Sequence, residues 1–271
     1  MCRGEQREKP YAAVNNSLFV CRMPKIARRD EGWVRMGHSV LVVEDADDIR
    51  ELIVDVLRRA GMDVREASTG GDALARVREQ QPDLVVLDLG LPDMDGTEVC
   101  RQLRAMSDCY VLILTGRAEE VDMLIGLAVG ADGYMVKPFS PRELTARVQS
   151  MMRRVRPEPT QVAPDLGNVK RVGDLEVDLD AREVRIATTE IPATEIPVTR
   201  TEFGLLAMLA SKPGRVFQRE TLLREVWQTD WDGNVRLVEV HMSNLRRKLV
   251  AAGVASPDIR TVRGVGYRLV L

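Results

Sequence analysis

Four short apolar runs in this chain end in residues able to manage a phosphoryl group or a hard cation. Leu84-Val85-Val86-Leu87 leads into Asp88, and Ser39-Val40-Leu41-Val42-Val43 into Glu44-Asp45. Tyr110-Val111-Leu112-Ile113-Leu114 leads into Thr115, and Gly133-Tyr134-Met135-Val136 into Lys137-Pro138. An Asp at a strand end is by itself an ordinary turn residue. Its company changes the reading. Short apolar runs with β-branched centres read as strands buried on both faces, the pattern of a parallel sheet flanked by helices. Such open sheets bind ligands outside the carboxyl ends of their strands. The four runs therefore bring three carboxylates, a hydroxyl and an ammonium to one edge. Two close carboxylates repel by about 4 kcal/mol at an effective dielectric of about 20, so the acids need a cation to stay ionised together. Hard oxygen ligands in an incomplete cage suit Mg2+, which keeps some waters and is bound together with phosphate. In that setting Asp88 could attack a phosphoryl group in line, while the ion and Lys137 neutralise its equatorial oxygens.

Glu44-Asp45, Asp88-Leu89-Gly90-Leu91-Pro92-Asp93-Met94-Asp95-Gly96, Thr115 and Lys137-Pro138-Phe139 closely resemble the receiver domain of bacterial two-component response regulators. The resemblance implies that Asp88 is the phosphoacceptor. It implies Mg2+ held by Asp45, Asp88 and the backbone carbonyl of Gly90, with Glu44 acting through water. Thr115, Tyr134 and Lys137 would form the phosphate-binding and switch set, and the bond before Pro138 would be cis. A rival chemistry lies nearby. Asp93-Met94-Asp95-Gly96-Thr97 resembles the nucleophile motif of haloacid-dehalogenase-type phosphatases, which needs an apolar strand directly before its first Asp. Here the strand leads into Asp88, and Gly90-Leu91-Pro92 intervenes, so an enzyme is not expected.

The elements that position these residues alternate. Strands are expected near 39–43, 63–66, 84–88, 110–114 and 133–136, and helices over 47–60, 70–80, 95–106, 119–129 and 141–154. Five such units with short loops predict an α/β fold, a doubly wound five-stranded parallel sheet of flavodoxin-like type spanning 37–155. Residues 1–36 mix charge, Pro and Asn without a sustained period and read as a disordered extension, with Met36 an alternative start. Arg153-Arg154-Val155-Arg156-Pro157-Glu158-Pro159 opens a Pro-rich linker, placed at 156–169.

From 170 to 271 the pattern changes. Leu175-Glu176-Val177-Asp178-Leu179 and Glu183-Val184-Arg185-Ile186 alternate with period two, as half-buried antiparallel strands do. Thr189-Glu190-Ile191-Pro192 recurs as Thr194-Glu195-Ile196-Pro197, and its prolines confine it to an edge or loop. Helices over 200–211, 219–227 and 235–250 precede a hairpin of 259–262 with 267–270, which together make a winged helix-turn-helix. Thr201-Glu202-Phe203, Val240-His241-Met242, Leu245-Arg246-Arg247-Lys248-Leu249 and Thr261-Val262-Arg263-Gly264-Val265-Gly266-Tyr267 resemble the OmpR/PhoB-type effector domain. Along the long helix, at about 100° per residue, Val238, Met242, Leu245 and Leu249 form the core stripe. The opposite face carries Arg236, Val240, Ser243, Asn244 and Arg247, with His241 at its side, suited to phosphate contact or to packing. Such a helix enters the major groove, where Arg236 and Arg247 can reach guanine or phosphate, Asn244 adenine and Val240 a thymine methyl. Arg263, at the hairpin tip, suits a backbone or minor-groove contact.

The formal net charge of −2 over 271 residues hides an asymmetry. Residues 1–36 hold 4 acids and 8 bases, 37–152 hold 21 and 12, and 153–271 hold 16 and 19. An acidic domain followed by a mildly basic one suits a metal and phosphate site followed by a reader of double-stranded promoter DNA. No apolar run approaches a bilayer span, so no membrane partner is expected. Cys2, Cys21, Cys100 and Cys109 have no CxxC spacing, which argues against a metal or redox site and for the cytoplasm. The resemblance further implies a cognate histidine kinase, contact with RNA polymerase, and a homodimer assisted by phosphorylation or DNA, formed through the helices over 119–129 and 141–154. Met123, Ala128, Gly133 and Gln149 stand where that surface is commonly charged, while Asp132, Glu143, Arg147 and Arg154 remain. An apolar strip of Met123, Leu124, Leu127 and Ala128 would then carry the pairing.

Overall fold

The computed structural model describes residues 38–116, 126–153, 168–187, 194–227 and 235–271. The extension over 1–36, most of the helix expected over 119–129 and nearly all of the linker lie outside them.

The first domain is built on five strands: β1 Ser39–Val43, β2 Asp63–Ala67, β3 Leu84–Asp88, β4 Tyr110–Thr115 and β5 Gly133–Val136. All pair in parallel, in the order β2-β1-β3-β4-β5. This is the doubly wound order with a crevice between β1 and β3, where the chain switches direction across the sheet. Four helices are described here in whole: α1 Asp47–Arg59, α2 Gly70–Glu79, α3 Gly96–Met106 and α4 Pro141–Met152. Residues 126–128, the end of the expected 119–129 helix, are also helical. Every residue of β3 and β4 is buried, as runs without alternation require. The helices cover the two sheet faces, and each face has its own apolar cluster.

The local signals are specific. Thr69 caps α2 by accepting from the Asp72 N–H, and Asp95 caps α3 by accepting from the Thr97 N–H. Both carboxylate oxygens of Asp93 accept from the Gly70 and Gly71 N–H groups, each at 2.8 Å. Gly96 begins α3 against the end of β3. A Cβ there would lie 2.4 Å from the Asp88 carbonyl oxygen, so only glycine lets the helix start that close to the end of β3.

The second domain opens with an antiparallel sheet of β6 Val169–Val172, β7 Leu175–Asp178 and β8 Glu183–Ile186. The second copy of the five-residue repeat runs along its edge. Glu195 bridges Arg185, and the Ile196 N–H donates to the Val184 carbonyl. The first copy lies outside the described residues. Helices α5 Arg200–Ser211, α6 Arg219–Trp227 and α7 Arg236–Ala251 form the trihelical part. The wing joins β10 Asp258–Val262 to β11 Gly266–Val270, and β11 also pairs with the two-residue β9 Phe217–Gln218. Gly266 meets β9 so closely that a Cβ would stand 1.9 Å from the Phe217 carbonyl oxygen. Thr199 and Glu202 form a reciprocal capping box at the start of α5. The Glu202 carboxylate also accepts from Lys248 of α7 at 2.6 Å, which ties the two helices together.

The two domains pack on each other. One apolar cluster runs from Leu103, Val111 and Leu127 of the first domain into Leu205, Trp227 and Leu245 of the second.

Candidate functional site

At the carboxyl edge of the sheet, β1 delivers Glu44 and Asp45, β3 delivers Asp88, and the segment after β5 delivers Lys137. Ligand oxygens of Glu44, Asp45 and Asp88 all lie within 4.8 Å of one another. Glu44 and Asp88 are buried and Asp45 is exposed. The Lys137 ammonium donates to both Glu44 oxygens at 2.9 and 2.7 Å, and stands 3.0 Å from Asp88 Oδ1. Asp88 Oδ2 accepts from the Gly90 N–H at 3.1 Å. Burial raises the Glu44 pKa above the usual carboxylate range, with Lys137 opposing and Asp88 reinforcing. Burial also works against the Lys137 ammonium, but its bonds to Glu44 and Asp88 outweigh that and keep it firmly charged. Thr115 ends β4, buried, and its carbonyl accepts from the Lys137 N–H at 2.7 Å. The Lys137–Pro138 bond is cis. Tyr134 is half-buried on β5 beside this edge. The sequence-selected receiver residues thus converge.

The donor set fits Mg2+. Three hard carboxylates converge with one ammonium among them, and the exposed Asp45 leaves an open side for water and a phosphoryl group. The phosphatase-like run is engaged otherwise. Asp93 binds the start of α2 and Asp95 the start of α3, so both carboxylates serve as helix caps.

The DNA-reading set is divided. Arg236, Ser243, Arg247 and Arg263 are exposed and Val240 is half-buried. Asn244 departs from the expected open face, because it is buried, and of the two roles open to His241 its burial fits packing. Asn244 Nδ2 donates to the Leu127 and Ala128 carbonyls at 3.3 and 3.4 Å, so the first domain covers it. Its Oδ1 accepts from Arg247 at 2.8 Å. His241 packs against Trp227, ring centroids 5.5 Å apart, and neither ring nitrogen has a hydrogen-bond partner. Burial lowers its pKa; Asp132 and Glu202 oppose this, while Arg104 and Lys248 add to it. A signal for that burial was present, since His241 falls between Leu237 and Leu245 at steps of four along one helix face.

Two residues of the expected pairing surface are also placed differently. Leu127 is buried in the core rather than forming part of an apolar strip. Asp132 is buried rather than waiting for an ion-pair partner. Its Oδ2 accepts from Arg104 at 2.5 Å and from the Val111 N–H at 2.8 Å, and its Oδ1 from Thr201 at 2.6 Å. Met123, Leu124 and Arg154 lie outside the described residues.

The family described as "Response regulator receiver domain" matches residues 40–149, and "Transcriptional regulatory protein, C terminal" matches 193–269. The DNA-binding response regulator MtrA of Mycobacterium tuberculosis is 41% identical over 233 residues, 86% of this chain and 97% of that protein. The chain is a response regulator of the OmpR/PhoB type. The alkaline phosphatase synthesis regulator PhoP of Bacillus subtilis is 40% identical over 243 residues, 86% of this response regulator and 97% of its own length. Among solved structures, a cysteine variant of the regulator RitR superposes with a TM-score of 0.65 at 26% identity, covering 86% of this chain and 99% of that one. Among the described residues, no helix is long and apolar enough to cross a membrane.

Proposed function

We propose that a histidine kinase phosphorylates this response regulator on Asp88 and that the phosphorylated form acts on promoter DNA in the cytoplasm. The observation that carries the reading is the grouping of Asp88, Glu44 and Asp45 around Lys137, in one chain with a winged helix. An Asp88 oxygen attacks phosphorus in line as the bond to the kinase imidazole nitrogen breaks, and the electron pair leaves with that nitrogen. Lys137 is already within 3.0 Å of Asp88 and takes up charge on the incoming oxygens. When bound at Glu44, Asp45, Asp88 and the Gly90 carbonyl, Mg2+ supplies further charge neutralisation. The new group carries about −1.5 to −2 charges, by analogy with other phosphorylated side chains. Thr115 would turn toward it and Tyr134 would follow, changing the surface next to β5. On DNA, Arg236, Val240, Ser243, Asn244, Arg247 and Arg263 form the contact set, with the buried His241 supporting the helix from behind, and two chains pair on adjacent half-sites, from where contact with RNA polymerase follows.

Labelling with a small acyl phosphate in Mg2+ tests the acceptor. Wild type should gain an acid-stable, base-labile phosphoryl group, and Asp88→Asn should gain none. Undiminished labelling of Asp88→Asn would remove Asp88 from the role. Asp45→Ala should raise the Mg2+ requirement sharply, because few protein ligands remain.

A further inference from the structure

Helices α1, α2 and α3 do not start alike. Thr69 and Asp95 close α2 and α3 with their own side-chain oxygens, whereas Ala46, at the start of α1, has no side chain able to do so. Yet the turn from Glu44 to Ala46 carries two of the three carboxylates of the metal site. Arg50, one turn into α1, reaches back and holds that turn. Its Nη1 donates to the Glu44 carbonyl at 2.9 Å and to the Asp45 carbonyl at 3.2 Å. Its Nη2 donates to Asp47, and its Nε stands 3.6 Å from Glu66 on β2. Its backbone N–H donates to the Ala46 carbonyl at 2.9 Å, so one residue engages three successive carbonyls.

We propose that Arg50 is a positioning residue for the metal site, which fixes the Asp45 carboxylate and thereby sets the preference for Mg2+ over Ca2+. This role rests on the Mg2+ site of the proposed function. Asp45 is exposed, so packing does not hold its side chain. Its backbone is held instead. The Glu44 and Asp45 carbonyls belong to the two peptide groups on either side of the Asp45 Cα, and each peptide group is a rigid plane. With both planes tied to one guanidinium, the direction of the Asp45 Cβ is set before any ion arrives. Mg2+ demands near-ideal octahedral geometry, whereas Ca2+ accepts oxygens in flexible arrangements. A fixed Asp45 therefore favours the smaller ion, and a loose one gives up Mg2+ first. The task suits arginine, whose planar fork engages two carbonyls and two carboxylates at once; a lysine ammonium has the charge without the fork. The guanidinium also repels a cation, but Asp47 and Glu66 offset its charge, which leaves geometry as its main contribution.

Calorimetric titration of full-length, unphosphorylated protein with Mg2+ and with Ca2+ tests this. Groups that orient metal ligands are worth about 10- to 100-fold in metal affinity. Arg50→Lys should weaken Mg2+ binding about tenfold and Ca2+ binding by less, so the ratio of the two affinities narrows. A general loss of stability would not move that ratio, since both ions bind the same folded population. An Mg2+ affinity equal to wild type, or an equal loss for both ions, would overturn the role. Glu66→Gln removes the ion pair to Nε at a half-exposed position and should shift the ratio in the same direction by less. Should Arg50→Lys not fold, this variant decides, and an unshifted ratio in it overturns the role. Wild type that takes up no Mg2+ would remove the metal reading and this role together. Wild type that binds Mg2+ and labels on Asp88, with variants whose ratio is unchanged, would remove the role of Arg50 alone.

Discussion

Lys137 stands between two carboxylates, Glu44 and Asp88, that would otherwise repel each other inside the protein. Removing one partner of a buried ion pair leaves the other charge uncompensated. Lys137→Ala should therefore lower unfolding stability by about 3 kcal/mol without Mg2+. Mg2+ should return more stability to the variant than to wild type, because it binds the folded carboxylates alone. Denaturant melts with and without Mg2+ check this. His241 makes a second case. Its partners across the contact are Asp132 and Arg104 of the receiver, with Glu202 and Lys248 in its own domain, and the net effect is a lowered pKa. In the unfolded chain the ring, in water, takes up a proton near the ordinary value of about 6.5. The stability gained from burying it neutral is then fully present above that value and is lost as pH falls from it through the lowered one. Denaturant unfolding stability should fall between pH of about 7.5 and about 5.5 by more than it does in His241→Leu. His38 and His241 are the only histidines in the chain, which keeps the titration simple. A pH response identical in His241→Leu would assign the effect elsewhere.

At the scale of elements, periodicity was an adequate guide wherever an element's neighbours are local. The buried runs of β1, β3 and β4 and the stripe Val238, Met242, Leu245 and Leu249 stand where their patterns put them, while β5 is in its expected place but alternates, with Val136 exposed. The convergence of Glu44, Asp45, Asp88 and Lys137 was legible for the same reason, since a parallel sheet aligns its strand ends. β6 and β9 were not legible. With four and two residues, they are strands because of β7 and β11 beside them rather than because of their own period. The cover over Asn244 was illegible too, since it comes from residues more than a hundred positions away. Helix starts depend on single residues, and two predictions follow from them. Thr199→Ala removes the α5 cap and should cost about 1 kcal/mol in denaturant unfolding. Gly96→Ala forces a Cβ against the end of β3 and should cost about 1–3 kcal/mol, with slower Asp88 labelling as the acceptor shifts.

For the whole molecule, the contact between the domains covers both Leu127 of the first and Asn244 of the second. Moving a population from 1:99 to 99:1 takes about 5.5 kcal/mol of differential interaction, and exposed ion pairs give about 0–1 kcal/mol each. With Ala128, Gly133 and Gln149 uncharged, few such pairs are on offer. The full-length protein should sediment as a monomer at micromolar concentration and pair weakly with a phosphate mimic, with little change between low and high salt. A tight dimer that falls apart as salt rises would mean that other residues make those ion pairs. The apolar cluster that runs unbroken through both domains has a calorimetric consequence. Domains that share a core lend each other stability, so the resting protein should absorb heat in a single transition whose calorimetric and van't Hoff enthalpies agree. Once the domains separate, each should melt on its own. The acyl-phosphate-treated protein should then show two peaks, the first at a lower temperature than the single resting peak, and the distance between them would measure how much each half leaned on the other.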